Sequence, residues 1–247
     1  MKFNHATTAT AIAASLTALA SAAIPVMNLS IQSSGGGSGS AAPVGQAVSG
    51  SPNQYRYDSS LFSANRFVAQ FTLYAMDTTA TDRQSVGGLI SVINSSASTQ
   101  TFTVEFSAST LSRAGGSLIA GSMGGALADN NGDGATFSMG GTSGGWSSWI
   151  VNGGTPVQVG SLFSAPYQVS AGPWQTAAIA SQSFGLPGPS QASIPMGDAA
   201  TVRITFELGA YDKVDLTTAF VVQVPAPGAF ALAAIAGVAG KTGRRRR

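Results

Sequence analysis

Apolar and polar residues alternate with a period of two through much of this chain. Thr101 to Phe106 sets Phe102, Val104 and Phe106 on one face, with Thr101, Thr103 and Glu105 on the other. Thr201 to Leu208 does the same, with Val202, Ile204, Phe206 and Leu208 against Arg203, Thr205 and Glu207. Successive strand side chains point to opposite sheet faces, so these runs predict strands with one buried face. Arg66 to Tyr74, Val86 to Ile93 and Asp212 to Val222 read the same way, with Asn94 to Ser98 as a loop. Asn152-Gly153 marks a hairpin between Trp146–Val151 and Pro156–Phe163, because such pairs accept the positive φ of a tight turn. About nine to ten short strands result, without an amphipathic helix or a fixed-period repeat. The pattern predicts an all-β fold, a β-sandwich of jelly-roll-like form. Val86-Gly87-Gly88 and Gly124-Gly125 predict bulges or close sheet packing.

Outside this region the pattern changes. Residues 1–22 order a basic Lys2, an Ala-rich apolar stretch with Ile12, Leu16 and Leu19, and Ala20-Ser21-Ala22. That order predicts a signal peptide over residues 1–22 whose cleavage site is formed by Ala20 and Ala22, with an Ala-rich first helix as the alternative. Residues 23–53 are rich in Gly, Ser and Pro and read as a flexible linker. The folded domain is then expected over residues 54–222.

Residues 224–247 hold three features in order: Val224-Pro225-Ala226-Pro227-Gly228, an apolar stretch from Ala229 to Gly240, and Arg244, Arg245, Arg246 and Arg247. Two prolines keep the backbone extended and deny it a ladder. The apolar stretch of 12 residues falls short of the roughly 20 that a stable membrane helix needs. The arginines favour the cytoplasmic side. Together these suit a temporary anchor; a short permanent anchor or a basic tail on anionic lipid are the alternatives. Helical targeting segments are therefore expected at both termini.

The tail resembles the PEP-CTERM sorting signal, in a VPAPG form with Ala226 where that signal usually has an acidic residue. The resemblance implies an exosortase-like membrane enzyme that cleaves near the prolines and passes the protein to the exterior. Such systems often accompany exopolysaccharide. The middle is similar to domains that precede such tails, through Val92-Ile93-Asn94, Gly121-Ser122-Met123-Gly124-Gly125, Asp129 to Gly134 and Phe206-Glu207-Leu208 with Asp212. That resemblance implies fold and location, and no activity.

Charge narrows the partners. The 247 residues carry a formal +2, with only 9% of residues charged. Six of the twelve basic residues lie in the two end segments and all ten acidic ones lie between them, so the middle stands at −4. That leaves no basic surface for nucleic acid. There is no Cys, and the single His, His5, is in the leader. Zinc sites and His-dependent nucleophiles lose their usual ligands and bases.

Asp129-Asn130-Asn131-Gly132-Asp133-Gly134 matches the opening of a calcium loop, with Asp129, Asn131 and Asp133 as oxygen donors and Gly at the sixth place. The twelfth place is Gly140, where such a loop has a carboxylate. The competing reading is a polar turn between strands, with Asp133-Gly134 supplying positive φ. No other cofactor is expected. Glu105 and Glu207 are the candidate glycosidase pair, set against exposed carboxylates partnered by residues such as Arg203. Trp146, Trp149 and Trp174 either fill the core or stack on sugars. The expected function is that of an exported, non-enzymatic cell-surface or extracellular-matrix protein, structural or polysaccharide-associated. A secreted carbohydrate-active enzyme using carboxylates alone is the alternative.

Overall fold

The structure, a computed structural model, describes residues 24–51, 53–76, 82–140 and 145–225. These form sixteen strands: β1 (Met27–Ser33), β2 (Ser38–Ala41), β3 (Gln46–Ala47), β4 (Gln54–Ser63), β5 (Phe67–Met76), β6 (Arg83–Asn94), β7 (Gln100–Ser109), β8 (Ser117–Ala128), β9 (Ala135–Met139), β10 (Trp146–Asn152), β11 (Thr155–Leu162), β12 (Tyr167–Ala171), β13 (Thr176–Phe184), β14 (Gln191–Ser193), β15 (Ala199–Leu208) and β16 (Lys213–Gln223). The first sheet runs β11-β10-β15-β7-β1-β2, with β9 on β15 and β12 on β9. The second runs β13-β8-β16-β6-β5-β4-β3, with β14 on β8. Every strand pair is antiparallel, and the two sheets make the expected β-sandwich.

The alternation seen in the sequence is the alternation of burial. Phe102, Val104, Phe106, Val202, Ile204 and Phe206 are all inside, while Glu105 and Arg203 lie on the outer face. Phe206 stacks on Phe102 and on Phe137, at 5.6 Å between centroids in each case, and Phe67 meets Phe102 edge-on at 6.1 Å. Phe67 belongs to the second sheet and the other three to the first, so these rings tie the two layers together. Further along, Trp146 of the first sheet packs edge-on to Phe184 and Phe220 of the second. Its indole N–H donates to the buried Thr218 hydroxyl at 2.7 Å.

The glycine pairs serve close approach. A Cβ at Gly87 would collide with the Thr218 carbonyl and one at Gly125 with the Asp215 carbonyl; nearby, one at the single Gly121 would lie 2.7 Å from the Trp146 ring. The expected hairpin joins β10 to β11, with Gly153 and Gly154 both at positive φ.

The strand ladders give the sandwich two distinct poles. Loops 95–99, 129–134, 172–175 and 209–212 each cross from one sheet to the other at the first, the loop pole. At the opposite pole, Met27 pairs with Ala108, and Gln223 pairs with Arg83 and Leu118. The two ends of the described fold thus leave from one pole.

The expected linker over residues 23–53 is corrected by β1, β2 and β3. β1 lies inside the first sheet, between β7 and β2, and buries Met27, Leu29 and Ile31 against Asn28, Ser30 and Gln32 outside. Its two-residue period is short and sits amid Gly and Ser, so composition hid it. The expectation of nine to ten strands was low for the same reason: several strands are short or nearly uniform in polarity, such as Gln46–Ala47 and Gln191–Ser193. The helical segments expected at the termini, with Ala20, Ala22, Ala226 to Gly228 and Arg244 to Arg247, lie outside the described residues.

Candidate metal centre

The 129–134 loop is organised by one carboxylate. Asp129 Oδ1 accepts the backbone N–H of Asn131 at 3.2 Å and of Gly132 at 3.1 Å, and its Oδ2 accepts that of Trp174 at 2.6 Å. Gly132 and Gly134 take positive φ, as the turn reading requires. Asp133 projects outward, and the Asn131 amide reaches the Ala210 carbonyl at 3.4 Å.

The 209–212 turn is fixed from two sides. Buried Asn94 donates its amide to the Leu208 and Gly209 carbonyls at 3.0 and 2.7 Å. The backbone N–H of Asn94 donates to the Asp212 carbonyl at 2.9 Å. From β9, Thr136 N–H donates to Asp212 Oδ2 at 3.1 Å, and Gly209 N–H returns a bond to the Thr136 carbonyl at 2.9 Å. Tyr211 takes a positive φ of 61° to make the turn.

These constraints bring Asp212 against the neighbouring loop. One carboxylate oxygen from each of Asp129, Asp133 and Asp212 lies within 4.8 Å of the others. Asp129 and Asp212 are buried and Asp133 is exposed. Asp212 Oδ1 is buried and accepts no hydrogen bond. Burial pushes the Asp212 carboxyl up to about 6; the Thr136 N–H opposes that shift, and the negative charges of Asp129 and Asp133 add to it. Asp129 moves the other way. Burial works against its charge, but the N–H groups of Trp174, Asn131, Gly132 and Gly134 outweigh it and hold the carboxyl below its ordinary 3.8.

The structure therefore joins Asp129 and Asp133 of the sequence-predicted set to a residue that sequence reasoning missed. The carboxylate absent at Gly140 has a counterpart in Asp212, supplied from a different connection. No linear spacing announces it, because the strand ladders of β8, β9, β15 and β16 set its position.

The other candidates separate. Glu105 pairs with Arg203 at 2.7 Å, and Glu207 accepts the Ser138 hydroxyl at 2.9 Å. Glu105 lies opposite Arg203 and Glu207 opposite Thr101, which puts the two carboxylates on the order of 13 Å apart along the ladder. Trp146 is buried in the core, while Trp149 is half-buried beneath Arg203, whose guanidinium lies 5.4 Å from the ring centroid. Trp174 is the exposed indole, 71% accessible and at positive φ on the loop pole.

Fold and site together define an antiparallel all-β sandwich with three carboxylates gathered at one pole. No protein-family model, curated protein or solved structure matches the chain.

Proposed function

We propose that this chain is an exported cell-surface or extracellular-matrix protein, delivered by an exosortase-like system and held briefly in the membrane by its C-terminal segment. The observation that carries this reading is how the fold is bounded. β1 starts at Met27, shortly after Ala22, and β16 ends at Gln223, directly before Val224 and Pro225. Cutting at both addresses would leave all sixteen described strands intact. The jelly-roll-like domain between them carries few charges and would face the exterior as a structural or polysaccharide-associated module, flanked before processing by two helical targeting segments.

A carbohydrate-active enzyme finds less support. Two glycosidase carboxylates stand roughly 5–9.5 Å apart, whereas Glu105 and Glu207 are more widely spaced and each has its own partner. Intact-mass analysis of the protein recovered from its native host tests the proposal. Loss of residues 1–22 and of the Arg-rich end is expected. A surface-exposed product that keeps Arg244 to Arg247 would remove the processing step, and a cytoplasmic product with an intact leader would overturn the export reading.

A further inference from the structure

We propose that Asp129, Asp133 and Asp212 bind one calcium ion, which fastens the 129–134 loop to the 209–212 turn across the two sheets. Two observations carry this. The first is spacing. Calcium binds oxygen at about 2.3–2.6 Å, so oxygens on one ion lie no more than about 5 Å apart. The three carboxylate oxygens fall within 4.8 Å of one another and meet that pairwise condition. Magnesium, with bonds of about 2.0–2.1 Å, sets a tighter limit of about 4.2 Å.

The second observation does not depend on counting acids. Asp212 is 1% accessible and its Oδ1 has no hydrogen-bond partner. A buried, unpartnered carboxylate oxygen is costly unless something positive meets it. Lys213, the nearest cation along the chain, is engaged by Asp215 at 2.9 Å. The exposed Asp133 side leaves the group open to solvent, which gives an ion its entry and supplies water to complete the six to eight oxygens that calcium takes. Two buried carboxylates and one exposed one would suit the weak affinity of extracellular modules, with Kd of about 0.1–1 mM.

The placement gives the ion a structural consequence. Asp129 ends the β8 side of one sheet-crossing loop, and Asp212 ends another that leads into β16. An ion shared between them links connections about eighty residues apart in sequence. It binds the folded state alone, so it raises stability by mass action.

The test uses the full-length chain freed of cations with EDTA at pH 7.5, then titrated with CaCl2 or with TbCl3. Terbium takes calcium-like sites, and the Trp174 indole, packed against Gly132, is placed to sensitise its emission. Saturating CaCl2 should raise Tm by roughly 5–10 °C and displace terbium emission. Asp212→Asn keeps an oxygen acceptor for Thr136 N–H, and it should fold while losing the calcium response by ten-fold or more in affinity. Should that variant fail to fold, Asp133→Asn, altered at an exposed side chain, carries the test and should weaken binding by a similar factor. Trp174→Phe should keep the Tm rise and lose the terbium signal. Unchanged Tm up to about 10 mM CaCl2, or wild-type binding by Asp133→Asn, would overturn the site. Equal stabilisation by MgCl2 at equal concentration would overturn the assignment to calcium.

Discussion

Two residues before the end of β15, Phe206 sits between Phe102 and Phe137, ring against ring in a dry interior. At the end of the same strand the chain turns through Gly209 into a cluster of three carboxylates. The first region gains stability from every atom it removes from water. The second gathers like charges and buries two of them. The difference separates what makes the fold from what the fold can hold: the phenylalanine stack of the first sheet, met edge-on by Phe67 of the second, fixes the two layers rigidly enough that an unfavourable arrangement of acids persists a few residues away.

The comparison can be broken most severely at its apolar side. Phe206→Ala should cost about 3–5 kcal/mol in urea or guanidinium unfolding, because it leaves a cavity between two stacked rings. A cost below about 1 kcal/mol would mean that the stack does not anchor the interior. Next comes a polar contact inside the core. Thr218→Val should cost about 1–3 kcal/mol by leaving the Trp146 indole N–H buried without an acceptor, and near-neutrality would indicate that water reaches it.

The acidic pole should show itself through pH. The folded Asp212 carboxyl is raised from 3.8 to about 6, so its protonated form is favoured by folding. Its stabilising contribution is complete below about pH 4 and disappears as pH rises through about 6. Cation-free protein should therefore lose stability across that window, while Asp212→Asn should flatten the loss; parallel pH profiles for the two would contradict it. Asp129, held below its ordinary value, acts in the opposite sense at lower pH, where its protonation removes stability. The smallest effect belongs to the outer face. Arg203→Ala breaks the exposed pair with Glu105 and should cost only about 0.2–1 kcal/mol, less at high salt. A larger, salt-insensitive cost would point to the Arg203 stem covering Trp149.

The legible parts of this molecule are those written by local alternation. Thr101 to Phe106 and Thr201 to Leu208 announce their faces residue by residue, and β7 and β15 pair across them as the pattern requires. The Asn152-Gly153 signal is equally local, and the turn lies where it points, one residue on, at Gly153 and Gly154. β1 was hidden because three apolar residues among Gly and Ser look like a linker until β7 is placed beside them. The carboxylate cluster was half visible: Asp129 and Asp133 share a loop, but Asp212 joins them only through ladders spanning two sheets. Trp174 was named with the other two indoles, but its exposure was not legible, since it depends on a left-handed backbone held by Asp129.

β16 runs toward the tail with β6 on one edge and β8 on the other along all of Lys213–Gln223. A pull applied through the tail would enter at Gln223 and travel along this clasped strand. It would load both ladders in shear, so their bonds would have to yield together and not in succession. Single-molecule pulling through Gln223 should then require more force than prising open the β10–β11 hairpin, and the reverse order would show that the last strand is no mooring. A domain tethered in this way would keep its shape under flow while its carboxylate-bearing end faces away from the attachment.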